Sequence, residues 1–454
     1  MSEQSSKQFK IVRNGDPAPA DVDWSKGLEG VQKGIGDALN ARNVAFLLGA
    51  GCSSLRKDGA EVGIATMQPL AEEFCRVSLE AQVEPAAAED LDDADDEADE
   101  LKDWETVEIP PEPDAVPEWA LSKPEIDYLG QVGVELNGEY ARNLERLMEV
   151  LHSLRFVLKR SQKPAHITRA ALLTKVIAKV QAFLWERCTA GAFAKSDTTV
   201  RDLYETFYRK LVLRDRMLPR PWVFTTNYDL FNETAMDRLA IPFANGFSGV
   251  IERRFNPATF RYALAEQLDV SSRKWSAVDA FVYLCKLHGS ISWTEDDHGL
   301  FPIRETWPAS DGAKMMIFPT PAKQNSSLAS PYADLFREFQ SRVVREQSVL
   351  ITVGYAFGDE HLNNIIYQAL TIPTFRLIIF ADPASDGEIG KLRALGDPRI
   401  WIIGGDGPTP GTRAHYFATV VEHFMPQRPS ERIDEAVRKV LEEMKPQKEE
   451  PDEP

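Results

Sequence analysis

The sequence predicts an α/β fold of the doubly wound kind: a parallel sheet with helices on both faces and a large helical insertion after the first βα unit. Three observations carry this expectation. Short apolar runs rich in β-branched residues, ending in Gly, Asn or Asp, recur at 44–48, 222–226, 282–287, 315–318, 349–353, 377–380 and 400–403. Their apolarity is continuous rather than alternating, the mark of strands buried on both faces in a parallel sheet covered by helices. Helix-period segments such as 362–370 lie between many of them. The spacing is uneven, because about 170 residues separate the first run from the second.

That gap holds helical patterns at 141–160, 169–187 and 200–213. Leu144, Leu147, Met148, Leu151 and Leu154 form one stripe, which reads as a core face. The expected organisation is an N-terminal extension (1–42), a sheet-bearing domain in two pieces (43–83 and 214–425) and a helical insertion (116–213). A C-terminal helix (426–444) follows, with Ile433, Val437, Val440, Leu441 and Met444 on one face, and then a short tail.

Charge is unevenly placed along the 454 residues. With 52 Lys and Arg against 70 Asp and Glu, the net charge is −18. Residues 84–114 alone carry 15 acidic groups and one basic group, Lys102, and the tail 445–454 adds −2, leaving the rest at −2. A block so dense in like charge repels itself and buries too little to offset chain entropy. It is read as a disordered acidic loop, with a nucleic-acid mimic or a docking strip for a basic partner as the sharper alternative. The acidity argues against a sequence-independent DNA coat, and direct nucleic-acid binding by this chain alone is not expected.

A hydrophobic content of 43% excludes global disorder. No apolar run reaches membrane-spanning length, and the start MSEQSSKQFK lacks a signal-peptide core. Cys52, Cys75, Cys188 and Cys285 are far apart and form no C-x-x-C pair, so no metal site is expected and reduced thiols in a cytoplasm are the default.

Four strand ends carry the chemistry. The first run leads into Gly49-Ala50-Gly51-Cys52-Ser53, where small residues let a backbone approach a phosphate and a helix N-terminus attract it. The full G-x-G-x-x-G fingerprint is absent, since Ser54 stands where its third glycine belongs; no Walker A motif is present either. The second run ends in Thr225-Thr226-Asn227-Tyr228-Asp229. Polar residues there suit a ligand site, although Asp229 alone could cap the next helix. The third ends in His288-Gly289, a side chain that takes a proton near neutral pH beside a residue that leaves room for a substrate. A structural histidine is the alternative. The fourth ends in Gly354-Tyr355, with Asp359 or His361 as cap of the next helix. Four polar ends in one sheet would converge on one crevice.

In this order, GAG-x-S, TTNYD, KLHGS and GY-x-F-x-D-x-H resemble the sirtuin superfamily, and more closely the bacterial sirtuin-like proteins of antiphage defence. The resemblance implies a Rossmann-like NAD-binding domain. Gly49, Ala50, Gly51 and Ser53 would contact the pyrophosphate. Thr225, Asn227 and Asp229 would surround the nicotinamide ribose, His288 would match the catalytic histidine, and Gly354 and Tyr355 would lie near the adenosine half.

Two departures bear on the activity. The four-cysteine zinc module of the deacylases is missing, and their G-I-P-D-F-R stretch is reduced to Gly63-Ile64-Ala65-Thr66. Water then becomes the natural acceptor of the ADP-ribosyl group. The resemblance thus implies an NAD+ glycohydrolase that depletes the infected cell of NAD. It would be controlled by homo-oligomerisation or by a separate partner such as a HerA-type ATPase or a short Argonaute. A non-catalytic NAD or ADP-ribose-binding scaffold of an ATPase complex is the alternative, and a zinc-free deacylase a third.

Overall fold

The computed structural model describes residues 7–57, 60–82, 116–193, 197–215, 217–269, 274–295, 302–307, 315–317 and 331–427. The acidic loop and the tail lie outside these residues, as does nearly all of the expected C-terminal helix. The chain divides into two compact units, one of residues 1–66, 188–318 and 324–454 and the other of 67–187 with 319–323.

The first unit is built on a nine-stranded sheet. Its strands are β1 (Gln8–Arg13), β2 (Asp16–Asp23), β3 (Asn43–Leu48), β4 (Trp222–Thr225), β5 (Phe243–Ala244), β6 (Val282–Lys286), β7 (Ser348–Val353), β8 (Arg376–Phe380) and β9 (Ile400–Gly405). Their order is β2-β1-β9-β8-β7-β3-β4-β6-β5. From β9 to β5 every pairing is parallel, while β1 and β2 add an antiparallel edge. The chain lays β4 and β6 on one flank of β3, then crosses to the other flank for β7, β8 and β9. That reversal is a topological switch point, where open α/β sheets form a ligand crevice at the carboxyl ends of their strands.

Helices follow in the order α1 (Leu28–Leu39), α2 (Met67–Glu80), α3 (Lys123–Gln131), α4 (Leu144–Lys159), α5 (Pro164–Phe193), α6 (Thr199–Leu211), α7 (Phe231–Arg238), α8 (Tyr332–Val343), α9 (Glu360–Leu370) and α10 (Glu388–Ala394). Side chains alternate across a strand, so β3 sends Ala45 and Leu47 to one face and Phe46 and Leu48 to the other. The first face packs with Leu335 and Phe339 of α8, Leu362 and Ile366 of α9, and Leu392 of α10. On the second, Phe46 meets Phe207 of α6 edge-on at 5.2 Å. Both faces are covered, which is why the strands read as unbroken apolar runs.

Three expectations need adjustment. The run at 315–318 was expected in the parallel sheet. Met315–Ile317 instead pairs antiparallel with Gly289–Glu295 in a separate five-stranded sheet. A short apolar run does not encode its partner. The N-terminal extension is an integral part of the first unit, supplying β1, β2 and α1. Its hairpin turns at Asn14-Gly15, both with positive φ, a pair suited to a type I′ turn. The helical insertion runs over 67–187 rather than 116–213, because α2 belongs to it and α6 to the sheet unit.

The helical unit has its own core. Leu144, Leu147, Met148 and Leu151 of α4 are buried as the stripe predicts, with Leu154 half-buried. Trp119 stacks on Phe74 of α2 and meets Phe183 of α5 edge-on. Ser122 and Glu125 form a capping box at the start of α3, and Glu125 pairs with Lys179 at 2.8 Å. Among the described residues no helix is long and apolar enough to cross a membrane.

Candidate functional site

Strand register brings the polar ends level. Leu48 stands opposite Thr225, Val353 opposite Leu48, and Lys286 opposite Thr225. The residues just beyond these positions therefore share one rim, as the spacing in sequence implied.

The glycine loop is held by its neighbour across the switch point. Gly49 N–H donates to the carbonyl of Val353 and Gly51 N–H to that of Gly354. A Cβ on Gly49 would lie 2.4 Å from the Gly354 carbonyl oxygen, and one on Gly354 2.7 Å from the Cys52 nitrogen. These glycines therefore let two loops touch backbone to backbone. Gly354 also has φ +62°. Gly354→Ala is expected to cost about 1–3 kcal/mol for the strained backbone alone. A denaturant midpoint equal to wild type would show that the loops can part freely.

Beside this loop lies a buried polar cluster. Asn227 Nδ2 donates to the Gly49 carbonyl at 3.0 Å and to Ser53 Oγ at 2.8 Å. Ser53 Oγ in turn donates to Asp229 Oδ2 at 2.6 Å. Thr225 Oγ1 donates to the Leu48 carbonyl and receives the Asn227 N–H, which fixes the bend. Asp229 Oδ1 accepts from the Phe231 N–H in an Asx turn at the start of α7. One oxygen of Asp229 thus fixes the turn into α7 and the other joins it to Ser53. Ser53, Asn227 and Asp229 are 2%, 6% and 2% exposed, so this network sits in a low-dielectric environment where each bond counts for more. Tyr204 of α6 approaches Ser53 Oγ at 3.5 Å. Burial first, and then the Asp229 charge, holds its phenol well above the usual range. Burial likewise pushes the Cys52 thiol up, so Cys52 offers no thiolate nucleophile.

His288 lies beyond β6, next to this network. Its Nε2 is 3.1 Å from Asp359 Oδ2. Asp359 Oδ1 accepts from the N–H groups of His361 and Leu362 and so caps α9. The cap was legible in the sequence; the contact with His288 was not, because 71 residues separate the pair. Below His288, Lys286 is buried. Its Nζ donates to the carbonyls of Tyr228 and Asp229 and to Ser290 Oγ, and pairs with Glu233 at 3.0 Å. This ammonium holds the Tyr228–Asp229 end of the TTNYD segment, a role that its place in the KLHGS motif did not announce.

A cleft of about 630 Å³ opens at the switch point. Gly51, Gly354 and Tyr355 line it, together with Arg56, Asp382 and His415. His415 Nδ1 is buried and has no hydrogen-bond partner among the described residues. The cleft wall thus carries a cation, a carboxylate and an imidazole beside the two glycine-bearing loops. Ser53, Thr225, Asn227, Asp229 and His288 do not line it. They form the buried group beside the same loops. Asp382 follows an apolar strand end just as the four recognised motifs do, and that signal could have found it. His415 carries no such signal.

Among the described residues no cluster of three or more His, Cys, Asp or Glu is placed to hold a metal ion. No curated protein matches the chain. The match that does emerge covers the span from β4 to just beyond β8, and so takes in Asn227, His288, Tyr355 and Asp359 while leaving the glycine loop outside. Residues 221–385 match the family model of a SIR2-like domain, and this part of the chain is similar to that family.

Proposed function

We propose that the protein is an NAD+ glycohydrolase, converting NAD+ and water to nicotinamide, ADP-ribose and a proton. One observation supports this reading: the Ser53–Asn227–Asp229 network, with His288 on the adjacent strand end, lies beside the same loops that line a cleft of about 630 Å³.

The chemistry suits these groups. The bond between the nicotinamide nitrogen and the ribose breaks, and its electron pair leaves with nicotinamide, which departs neutral. Positive charge develops on the sugar, where the Asp229 carboxylate offsets it in a low-dielectric setting. Asn227 Nδ2 is engaged by Gly49 and Ser53. Its Oδ1 is then the atom that would accept a hydrogen from a ribose hydroxyl or the attacking water. Water attacks the sugar carbon and gives its proton to His288, directly or through a ribose hydroxyl.

The wider reading is antiphage defence by NAD depletion, held silent until a partner or assembly releases it. The order of the four motifs supports it, and the separate compact unit of residues 67–187 is a candidate surface for such control. A HerA-type ATPase, a short Argonaute or further copies of the chain are the proposed controllers. The test is chromatographic measurement of NAD+, nicotinamide and ADP-ribose with the full-length protein, alone and with the product of the adjacent gene. Matched release of both products is expected. Tight nucleotide binding without turnover in every combination would favour the scaffold reading instead.

A further inference from the structure

We infer that Asp359 is a positioning residue for His288, fixing the imidazole in the Nε2–H tautomer so that Nδ1 carries the basic lone pair. The inference rests on reading His288 as the base of the reaction above, but its geometry stands independently of that reading.

A carboxylate only accepts hydrogen bonds, so Nε2 at 3.1 Å from Asp359 Oδ2 must be the protonated nitrogen. In a neutral ring the other nitrogen then holds the lone pair. Both partners are buried, His288 at 5% and Asp359 at 8% exposure, which strengthens the contact and limits competition from water. Asp359 is itself locked. Its Oδ1 receives two main-chain N–H groups, from His361 at 2.8 Å and Leu362 at 3.2 Å, at the first turn of α9. Tyr355 and Asn363 reinforce that turn: the Tyr355 hydroxyl reaches Asn363 Oδ1 at 3.2 Å, and Asn363 Nδ2 donates to the Phe357 carbonyl. One carboxylate therefore joins the helix cap to the histidine, and the capped oxygen determines which oxygen faces the ring.

This division of labour makes Asp359→Asn an informative substitution. Asn caps helices as well as Asp does, so folding should be preserved. The two main-chain donors require the amide oxygen at the Oδ1 position. The NH2 group must then occupy the Oδ2 position and donate to Nε2. His288 is forced into the Nδ1–H tautomer, and its lone pair then sits on Nε2, held by the new amide instead of being available on Nδ1.

The test uses the full-length protein with 15N-labelled histidine. In wild type the His288 ring should show the Nε2–H pattern of nitrogen shifts, and in Asp359→Asn the Nδ1–H pattern. Under conditions where wild type consumes NAD+, kcat should fall by about 100- to 10,000-fold, the size of general-base assistance, with KM changing far less. Asp359→Ser, which keeps a cap but cannot reach the ring, should lose the fixed tautomer without unfolding. An unchanged tautomer in Asp359→Asn overturns the inference, whether or not NAD+ turns over. Absence of NAD+ consumption by wild type overturns the proposed reaction instead, and the nitrogen shifts still decide the role of Asp359.

Discussion

His288→Ala is expected to abolish most NAD+ consumption while leaving nucleotide binding nearly intact. General-base assistance contributes about 100- to 10,000-fold, and that is the drop expected in kcat. The reason for separating turnover from affinity is geometric. The cleft that would hold the dinucleotide is lined by Gly51, Gly354, Tyr355 and Asp382, and His288 is not among its walls. Loss of the ring also removes a bond to a buried carboxylate, with an expected stability cost of about 1–3 kcal/mol. His288→Gln distinguishes the two effects, because an amide can still donate to Asp359 but cannot take a proton. It should match His288→Ala in turnover and approach wild type in thermal stability. Steady-state kinetics, calorimetric titration with NAD+ and thermal melting of both variants check this together. Full activity in either variant would remove His288 from the mechanism.

Lys286→Met should have the largest effect on stability. Lys286 is 2% exposed and bonds the carbonyls of Tyr228 and Asp229 as well as Ser290. Its charge faces Glu233 at 3.0 Å, whose carboxylate oxygens have no hydrogen bond of good geometry among the described residues. Removing one member of such a buried pair typically costs about 3–5 kcal/mol, since the other is left charged and unpaired. The pH dependence follows from Glu233. Burial raises its carboxyl above the ordinary range, against the opposing pull of Lys286. A raised value in the folded state means that the protonated form folds more favourably. The associated stability is present below the unfolded carboxylate range and is lost as pH rises through the raised folded value. Without Lys286 that loss should deepen, so the variant should be least stable at alkaline pH. Glu233→Leu added to Lys286→Met should recover part of the loss. Urea melts of the single and double variants at mildly acidic and mildly alkaline pH read both effects. Equal midpoints for wild type and Lys286→Met would show that the pair contributes nothing.

Much of this architecture was legible because parallel strands advertise themselves locally. β3, β7 and β8 are buried on both faces, and their residues say so one by one. The strand-end motifs were legible for the same reason, each being a contiguous break from apolar to polar. The Asx turn at Asp229 and the helix cap at Asp359 also depend on near neighbours. The β1–β2 hairpin carried its own signal in Asn14-Gly15 and in the alternation of Gln8-Phe9-Lys10-Ile11. It is half-exposed, and a search for continuous apolar runs passes over such strands.

The sequence by itself determined the fold class, the central strands, the helical character of the long insertion and the polar breaks at the strand ends. These follow from periodicity, turn chemistry and burial, which act over a few residues. Only the tertiary structure decided what touches what. It joined Ser53 to Asp229 across 176 positions, set Asp359 against His288, placed Lys286 on the carbonyls of Tyr228 and Asp229, and turned Gly49 and Gly354 toward each other. The same holds for the pairing of Met315–Ile317 and for the cleft wall at Asp382 and His415. The physical reason is common to all of them. Contacts between distant segments are set by strand order and register, which minimise the free energy of the whole chain and leave no mark on any short stretch of it.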